Sequence, residues 1–200
     1  MSPAYEQVLV EDAGAWRAWL DANHATSPGI WLVTWKPGSG HPRLPWQEIV
    51  DEALCYGWID SRPRTIDAER TARLLTPRNP SSNWSARNKQ RVEALTGAGR
   101  MRPSGLAAVA VAQANGTWNA LDHVEMLAEP ADLAAALDAW PDARRHWDDF
   151  PRSTRRAILE WVGAAKSAAT RQARVDRTVA DAAVGTRANQ WRQPKRARPE

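Results

Sequence analysis

The amino-acid sequence predicts an α+β fold: a small antiparallel sheet of three to four strands in the N-terminal half, packed by helices, and a helical C-terminal half. An apolar run at residues 29–36 precedes the turn residues 37–40, which is typical of a strand. Gly57 stands between a helical pattern and an extended run that begins at Trp58. Beyond Pro80, apolar residues recur at helical spacing.

The N-terminal half supplies the elements of the sheet. Residues 11–25 carry Trp16 and Leu20 four apart and predict a first helix. Pro45 suits the first turn of a second helix, which ends before Gly57. Strands are expected over 58–66 and 71–76, joined by a turn, and Pro63 indicates a sheet edge or a bend.

The C-terminal half predicts helices in series. Ser82 or Ser85 can cap a helix to about residue 95, and further helices are expected over 104–115, 130–140, 141–149 and 168–184. Ser153 is expected to cap a helix over 154–165, whereas 117–130 predicts a loop or a broken helix. We expect one domain over 1–186, with its sheet within about 1–80 and its helical part in 81–186, followed by a basic tail at 187–200.

The net positive charge of the chain lies in its C-terminal tail. Residues 187–200 hold five of the 27 basic residues and one of the 23 acidic residues, which leaves 22 of each in the body. A balanced body argues against a nucleic-acid partner. The N-terminus lacks a secretory pattern, no apolar run approaches the ~20 residues of a membrane helix, and the single cysteine excludes an internal disulfide. These features predict a cytoplasmic protein without a transmembrane segment.

Several classes of site are missing from the sequence. The four histidines are far apart and lack metal-ligand spacing, so we expect no metal. No phosphate-binding glycine motif, serine-hydrolase elbow or zinc-protease motif occurs, and no cofactor is predicted. Cys55 follows Asp51 and Glu52 on the same helix, and carboxylates disfavour the thiolate that a nucleophile needs. Cys55 is therefore expected to be structural.

Short motifs in a fixed order resemble the YdeI/OmpD-associated family, also called bacteriocin-protection proteins. The matching segments are Trp35-Lys36, ALCYGWIDS at 53–61, Thr76-Pro77-Arg78, SNWSARN at 82–88, Gly99-Arg100-Met101, and Ala165-Lys166 through Thr170-Arg171. The resemblance extends over nearly the whole chain. It implies a link to envelope stress and to resistance against antibacterial compounds, and it brings no catalytic assignment.

Two clusters within these motifs are candidate sites. Glu52 and Asp60 are candidate acid/base groups, because carboxylates gathered at a helix end can be raised in pKa; the alternative is a helix face paired with arginines. The second cluster combines the Arg78 fork with groups at a helix start, which can hold a carboxylate or phosphate; the alternative is capping and a salt bridge to Asp60. The predicted ligand-binding residues are Arg78, Trp84, Trp58, Lys36, Ser82 and Asn88.

The sequence thus predicts a protein that binds a small organic molecule in an indole-rich pocket where Asp60, Arg78 and Trp84 converge beside Trp58. It would act in resistance or stress, or as a cofactor-independent acid/base enzyme on an anionic or aromatic molecule. The alternative is a noncatalytic protein of envelope stress whose C-terminal basic helices, with Lys166, meet an acidic protein surface or anionic lipid.

Overall fold

The computed structural model describes residues 5–190, and within them the predicted α+β class is confirmed. The chain divides into two compact units, one ending at Ala120 and the other beginning at Leu121. The first unit thus includes the sheet and two helices beyond residue 80. That the chain forms a single domain over 1–186 stays a prediction.

Over residues 5–120 the first unit contains four strands and four helices. The strands are β1 (Glu6–Leu9), β2 (Ile30–Trp35), β3 (Trp58–Thr65) and β4 (Arg70–Pro77). The helices are α1 (Ala13–Asn23), α2 (Trp46–Cys55), α3 (Ala86–Gly97) and α4 (Pro103–Ala114). Asp12 caps α1 and Ser85 caps α3 through their side-chain oxygens. Pro45 is the N-cap of α2 rather than a residue of its first turn.

The sheet is mixed, with the strand order β1-β2-β4-β3. Strand β4 pairs antiparallel with β2 and β3, as expected for a hairpin, whereas β1 pairs parallel with β2. The register of the ladder between β3 and β4 shifts between Asp60 and Pro63. This irregularity lies where Pro63 indicated a sheet edge or a bend. The core of this unit gathers Trp16, Leu20, Ile49, Trp58 and Trp84.

Close packing around Gly57 brings α4 to the end of the sheet. Gly57 has a φ of +75°, and a Cβ there would lie 3.1 Å from both Ala108 Cβ and Ser104 O. Gly105 of α4 approaches α2 more closely still, because a Cβ on it would lie 2.2 Å from Cys55 O. The two glycines allow α4 to pack against the segment that joins α2 to β3.

The second unit is helical over its described residues. Its helices are α5 (Asp122–Glu125), α6 (Ala131–Asp138), α7 (Pro141–Asp149), α8 (Arg152–Gly163) and α9 (Ala168–Ala183). Pro151, and not Ser153, is the N-cap of α8. The core gathers Leu133, Trp147, Ile158 and Val175, together with Ala188, which lies in the predicted tail and is buried. Ala188 therefore belongs to the packed part of the second unit; the rest of the predicted tail, residues 191–200, lies outside the described part of the chain.

Candidate ligand-binding site

The strongest candidate site surrounds Arg78, where β4 ends. The Arg78 backbone N–H donates to Gly57 O at 2.9 Å, and its Nη2 donates to Asn83 O at 2.5 Å. Arg78 Cζ lies 3.8 Å from the centre of the Trp84 ring, a cation–π contact. Trp84 is fixed in turn by a backbone bond to Thr117 O and by packing on Trp118 at 4.9 Å. The guanidinium is thus held on a rigid indole.

Arg78 carries a positive charge that the rest of the first unit does not neutralise. No carboxylate of the described residues lies within ion-pair distance of it, and its buried Nε has no hydrogen-bond acceptor. Burial lowers the pKa of Arg78 to about 10, and no other group opposes that shift. Arg78 remains protonated at neutral pH, so an unsatisfied cation persists beside the cavity.

A cavity of about 160 Å³ adjoins this guanidinium. Arg78 and Trp84 form one side, Ala108 and Val111 of α4 form another, and the remaining lining residues are Asn79, Pro80, Ala107 and Ala112. Its walls are mostly apolar, with Arg78 as their charged group. Cavities of about this volume admit a benzene-sized body. The arrangement can therefore hold a small anion that has an apolar part.

The other predicted binding residues do not line this cavity. Trp58 is buried in the core, where its Nε1 donates to His24 O and its ring meets Trp19. Lys36 Nζ donates to the carbonyls of Asp67 and Ala68 in the β3–β4 turn, which is a structural role. Asn88 contributes its backbone N–H to the Ser85 cap, and the Ser82 backbone N–H bonds Asn79 O beside the cavity.

Asp60 does not meet Arg78, so the predicted convergence of these two residues is wrong. The Asp60 carboxylate instead accepts from Arg73 Nη1 at 3.2 Å. Burial raises the pKa of Asp60, and the Arg73 charge opposes that shift. Arg73 lies on β4 two residues from Leu75, the partner of Asp60 in the ladder, so that their side chains share one face of the sheet. Asp60 as an acid/base group stays a prediction.

Glu52 is the most thoroughly paired carboxylate of the first unit. Its side chain is 1% exposed, and it accepts from Arg17 Nε at 2.9 Å and from Arg100 Nη2. Burial alone would raise the pKa of Glu52, but the bonds from Arg17 and Arg100 together hold it below its ordinary value. Such a carboxylate stays ionised, so the alternative of a helix face paired with arginines describes it better than an acid/base role. Asp51 pairs with Arg91 in the same way.

Cys55 lies beside Glu52 and is buried. Burial, followed by the Glu52 charge, raises the pKa of the thiol to about 11. The thiolate is therefore scarce at neutral pH, which agrees with the structural role expected from its acidic neighbours.

A second cavity of about 190 Å³ lies between the sheet and the start of α2. Its cations are Arg43, which is exposed, and Arg73, which already pairs with Asp60 and stacks 4.1 Å from the centre of the Trp46 ring. Arg78 is more buried than Arg43 and, unlike Arg73, has no carboxylate partner among the described residues. The first cavity is accordingly the better anion site.

The basic face predicted on α9 is largely engaged within its own unit. Arg171 forms a fork with Asp132 at 2.6 and 2.9 Å, and Arg174 donates to Trp161 O. Lys166 remains exposed. Among residues 5–190, every helix is too short or too polar to cross a bilayer, and no group of metal-ligating side chains forms a metal site.

Sequence reasoning missed the wall that α4 contributes to the Arg78 cavity. The residues of this wall are small and apolar, so only their helical spacing indicates that they share one face of α4. Gly105 was the available clue, because a glycine inside a helical pattern marks a close approach of two backbones.

Comparison with known families gives two matches that fall within the two units. Residues 8–108 match a domain of unknown function, DUF8412, and residues 126–185 match the family described as bacteriocin-protection, YdeI or OmpD-associated. No curated protein and no solved structure matches. The motifs between residues 35 and 101 lie within the first match, and the segment from Ala165 to Arg171 lies within the second. The chain therefore belongs to the DUF8412 family, and its residues 126–185 match the YdeI/OmpD-associated family that its motifs resemble.

Proposed function

We propose that the protein binds a small organic anion, a carboxylate with a compact apolar or aromatic body, in the Arg78 cavity. The observation that carries the proposal is a partly buried guanidinium, stacked on Trp84, whose Nε has no acceptor and which has no carboxylate partner. An unpaired buried cation is costly, and a bound carboxylate would neutralise it through charge-assisted hydrogen bonds. The apolar wall from α4 would cover the body of the ligand.

The proposed role is binding rather than catalysis. The two candidate acid/base groups, Asp60 and Glu52, pair with arginines of the first unit and are not among the residues that line the cavity. The bacteriocin-protection description of the matched family concerns defence against antibacterial compounds. Capture of an organic anion is a function that a resistance or stress protein can use, and we place the proposed site in that context.

Calorimetric titration with sodium benzoate tests the charge requirement. Benzamide has nearly the same shape without the charge, and cyclohexanecarboxylate keeps the charge on a bulkier ring. We expect both carboxylates to bind and benzamide to bind at least about tenfold more weakly, because hydrogen bonds to a charged group contribute about 1.5–3 kcal/mol. Equal affinity for benzoate and benzamide, or no binding of either carboxylate, would contradict the proposal.

Two pairs of variants locate the site. Arg78→Met removes the cation, and Arg87→Met, on an exposed residue of α3, is its control. Ala107→Leu fills the cavity, and Ala110→Leu places the same side chain at an exposed position of α4 outside the lining. Benzoate binding should be lost in the first member of each pair and retained in the second.

A further inference from the structure

The second unit contains a larger groove, of about 480 Å³, that is independent of the Arg78 site. One side consists of the end of α6 and the residues that follow it, and the other is a single stripe of α9. The lining residues are Ala136, Ala139, Trp140, Asp176, Val179, Ala180 and Ala183. Four alanines leave space beside one large indole, and the volume falls within the range of sites for small organic ligands.

Trp140 is the main apolar surface of the groove. It is the N-cap of α7, it is 61% exposed, and its Nε1 makes no hydrogen bond with any residue in the range 5–190. Trp147 of the same unit is buried and bonded to Glu129, as is usual for an indole in a core. Trp140 and the other apolar residues of the lining form one continuous surface, and continuous exposed apolar patches mark binding sites.

Asp176 is the only charged residue in the lining. Its one hydrogen bond comes from the Gln172 side-chain amide at 2.8 Å, and no lysine or arginine of the described chain lies within ion-pair distance. Two other carboxylates of the unit are paired: Asp132 with Arg171, and Asp181 with Arg177. The groove therefore offers a carboxylate that no cation of residues 5–190 neutralises.

We infer that this groove binds an organic cation, an ammonium group attached to an apolar chain. The face of an indole attracts an ammonium through the ring quadrupole, and tryptophan does so better than the other aromatic residues. Asp176 supplies the opposite charge at the same groove, and the alanines with Val179 provide a surface for the hydrocarbon chain. An anionic ligand would meet Asp176 with like charge.

Calorimetric titration of the full chain with three probes tests this inference. Octyltrimethylammonium carries both features, octanesulfonate keeps the chain and reverses the charge, and choline keeps the cation without the chain, all below micelle-forming concentrations. We expect octyltrimethylammonium to bind more tightly than either of the other probes. Equal binding of octyltrimethylammonium and octanesulfonate would overturn the inference by showing a groove that selects for hydrophobicity alone.

Matched variants assign the binding to the groove. Trp140→Ala should weaken octyltrimethylammonium binding about fivefold, the scale of an exposed cation–π contact, and Asp176→Asn should weaken it about threefold. The controls are Met126→Ala, which truncates another exposed apolar side chain, and Asp149→Asn, which neutralises an exposed aspartate outside the lining. Unchanged affinity in both test variants, or an equal loss in their controls, would refute the site.

Discussion

Arg78 in the first unit and Arg144 in the second show how differently one side-chain type is used. Arg144 forms a fork with Glu129 at 2.7 and 2.8 Å, bonds Asp148, and lies 3.6 Å from Asp138. Glu129 first, and then Asp148, hold the pKa of Arg144 well above its usual range, whereas burial lowers that of Arg78 to about 10. An arginine with carboxylate partners stabilises the fold, whereas one without them is available to a ligand, even when both are partly buried.

Replacement of Arg144 should have the largest effect on stability. In Arg144→Met, Glu129 would keep only the Trp147 N–H, at 2.7 Å, as a hydrogen-bond donor to its partly buried carboxylate. Removing one member of a buried pair leaves an uncompensated charge, and we expect a loss of about 2–4 kcal/mol in the free energy of unfolding. Urea unfolding at pH 7 measures it. Arg145→Met, which breaks an exposed pair with Asp142, should change stability by less than about 1 kcal/mol.

The pH dependence of the same variant sharpens the comparison. The Arg144 fork lowers the pKa of Glu129, so the pair stabilises the fold above the unfolded-state pKa of about 4.3. That stabilisation is lost as the pH falls through the lower folded-state value. The difference in stability between the wild type and Arg144→Met should therefore shrink below about pH 4. A difference that is as large at pH 3 as at pH 7 would rule out this ion pair as its origin.

Two nested truncations test where the second unit ends. Ala188 is buried and Arg187 lies 5.9 Å from the centre of the Phe150 ring, so residues 187–190 contribute packing. Removal of residues 187–200 should cost about 1–2 kcal/mol more than removal of 191–200, given the apolar surface that Ala188 buries. The comparison by urea unfolding tests the predicted boundary at residue 186. Equal stability of the two truncations would support that boundary and contradict a contribution from residues 187–190.

The fold class could be predicted from the sequence because its signals are local. Periodicity and turn residues locate α1, β2, the β3–β4 hairpin and the C-terminal helices without knowledge of their partners. Strand β1 was missed because its four residues have no alternating pattern, and it exists through parallel pairing with β2. Parallel pairing joins segments far apart in sequence, which a local pattern cannot report.

The candidate site was predicted in part for the same reason. Arg78 and Trp84 are only six residues apart, so the chain that links them keeps them close, and they do line one cavity. Asp60 pairs with Leu75 and Trp58 pairs with Pro77, so Arg78 lies beyond the end of the ladder, where its N–H bonds Gly57 O. Arg73 lies two residues from Leu75 on the same face of the sheet and forms the ion pair with Asp60. This pairing depends on strand register, which a local sequence pattern does not report.

Replacement of Arg78 should have the smallest effect on stability. Arg78→Met loses the stacking on Trp84 and the bond to Asn83 O, but it also removes the cost of burying a cation that has no carboxylate partner. Because these contributions oppose each other, we expect the free energy of unfolding to change by less than about 1 kcal/mol, in contrast to Arg144→Met. Urea unfolding of both variants under identical conditions measures the contrast. A loss for Arg78→Met as large as that for Arg144→Met would mean that Arg78 is a structural residue of the first unit, and the case for a ligand at its cavity would then be lost.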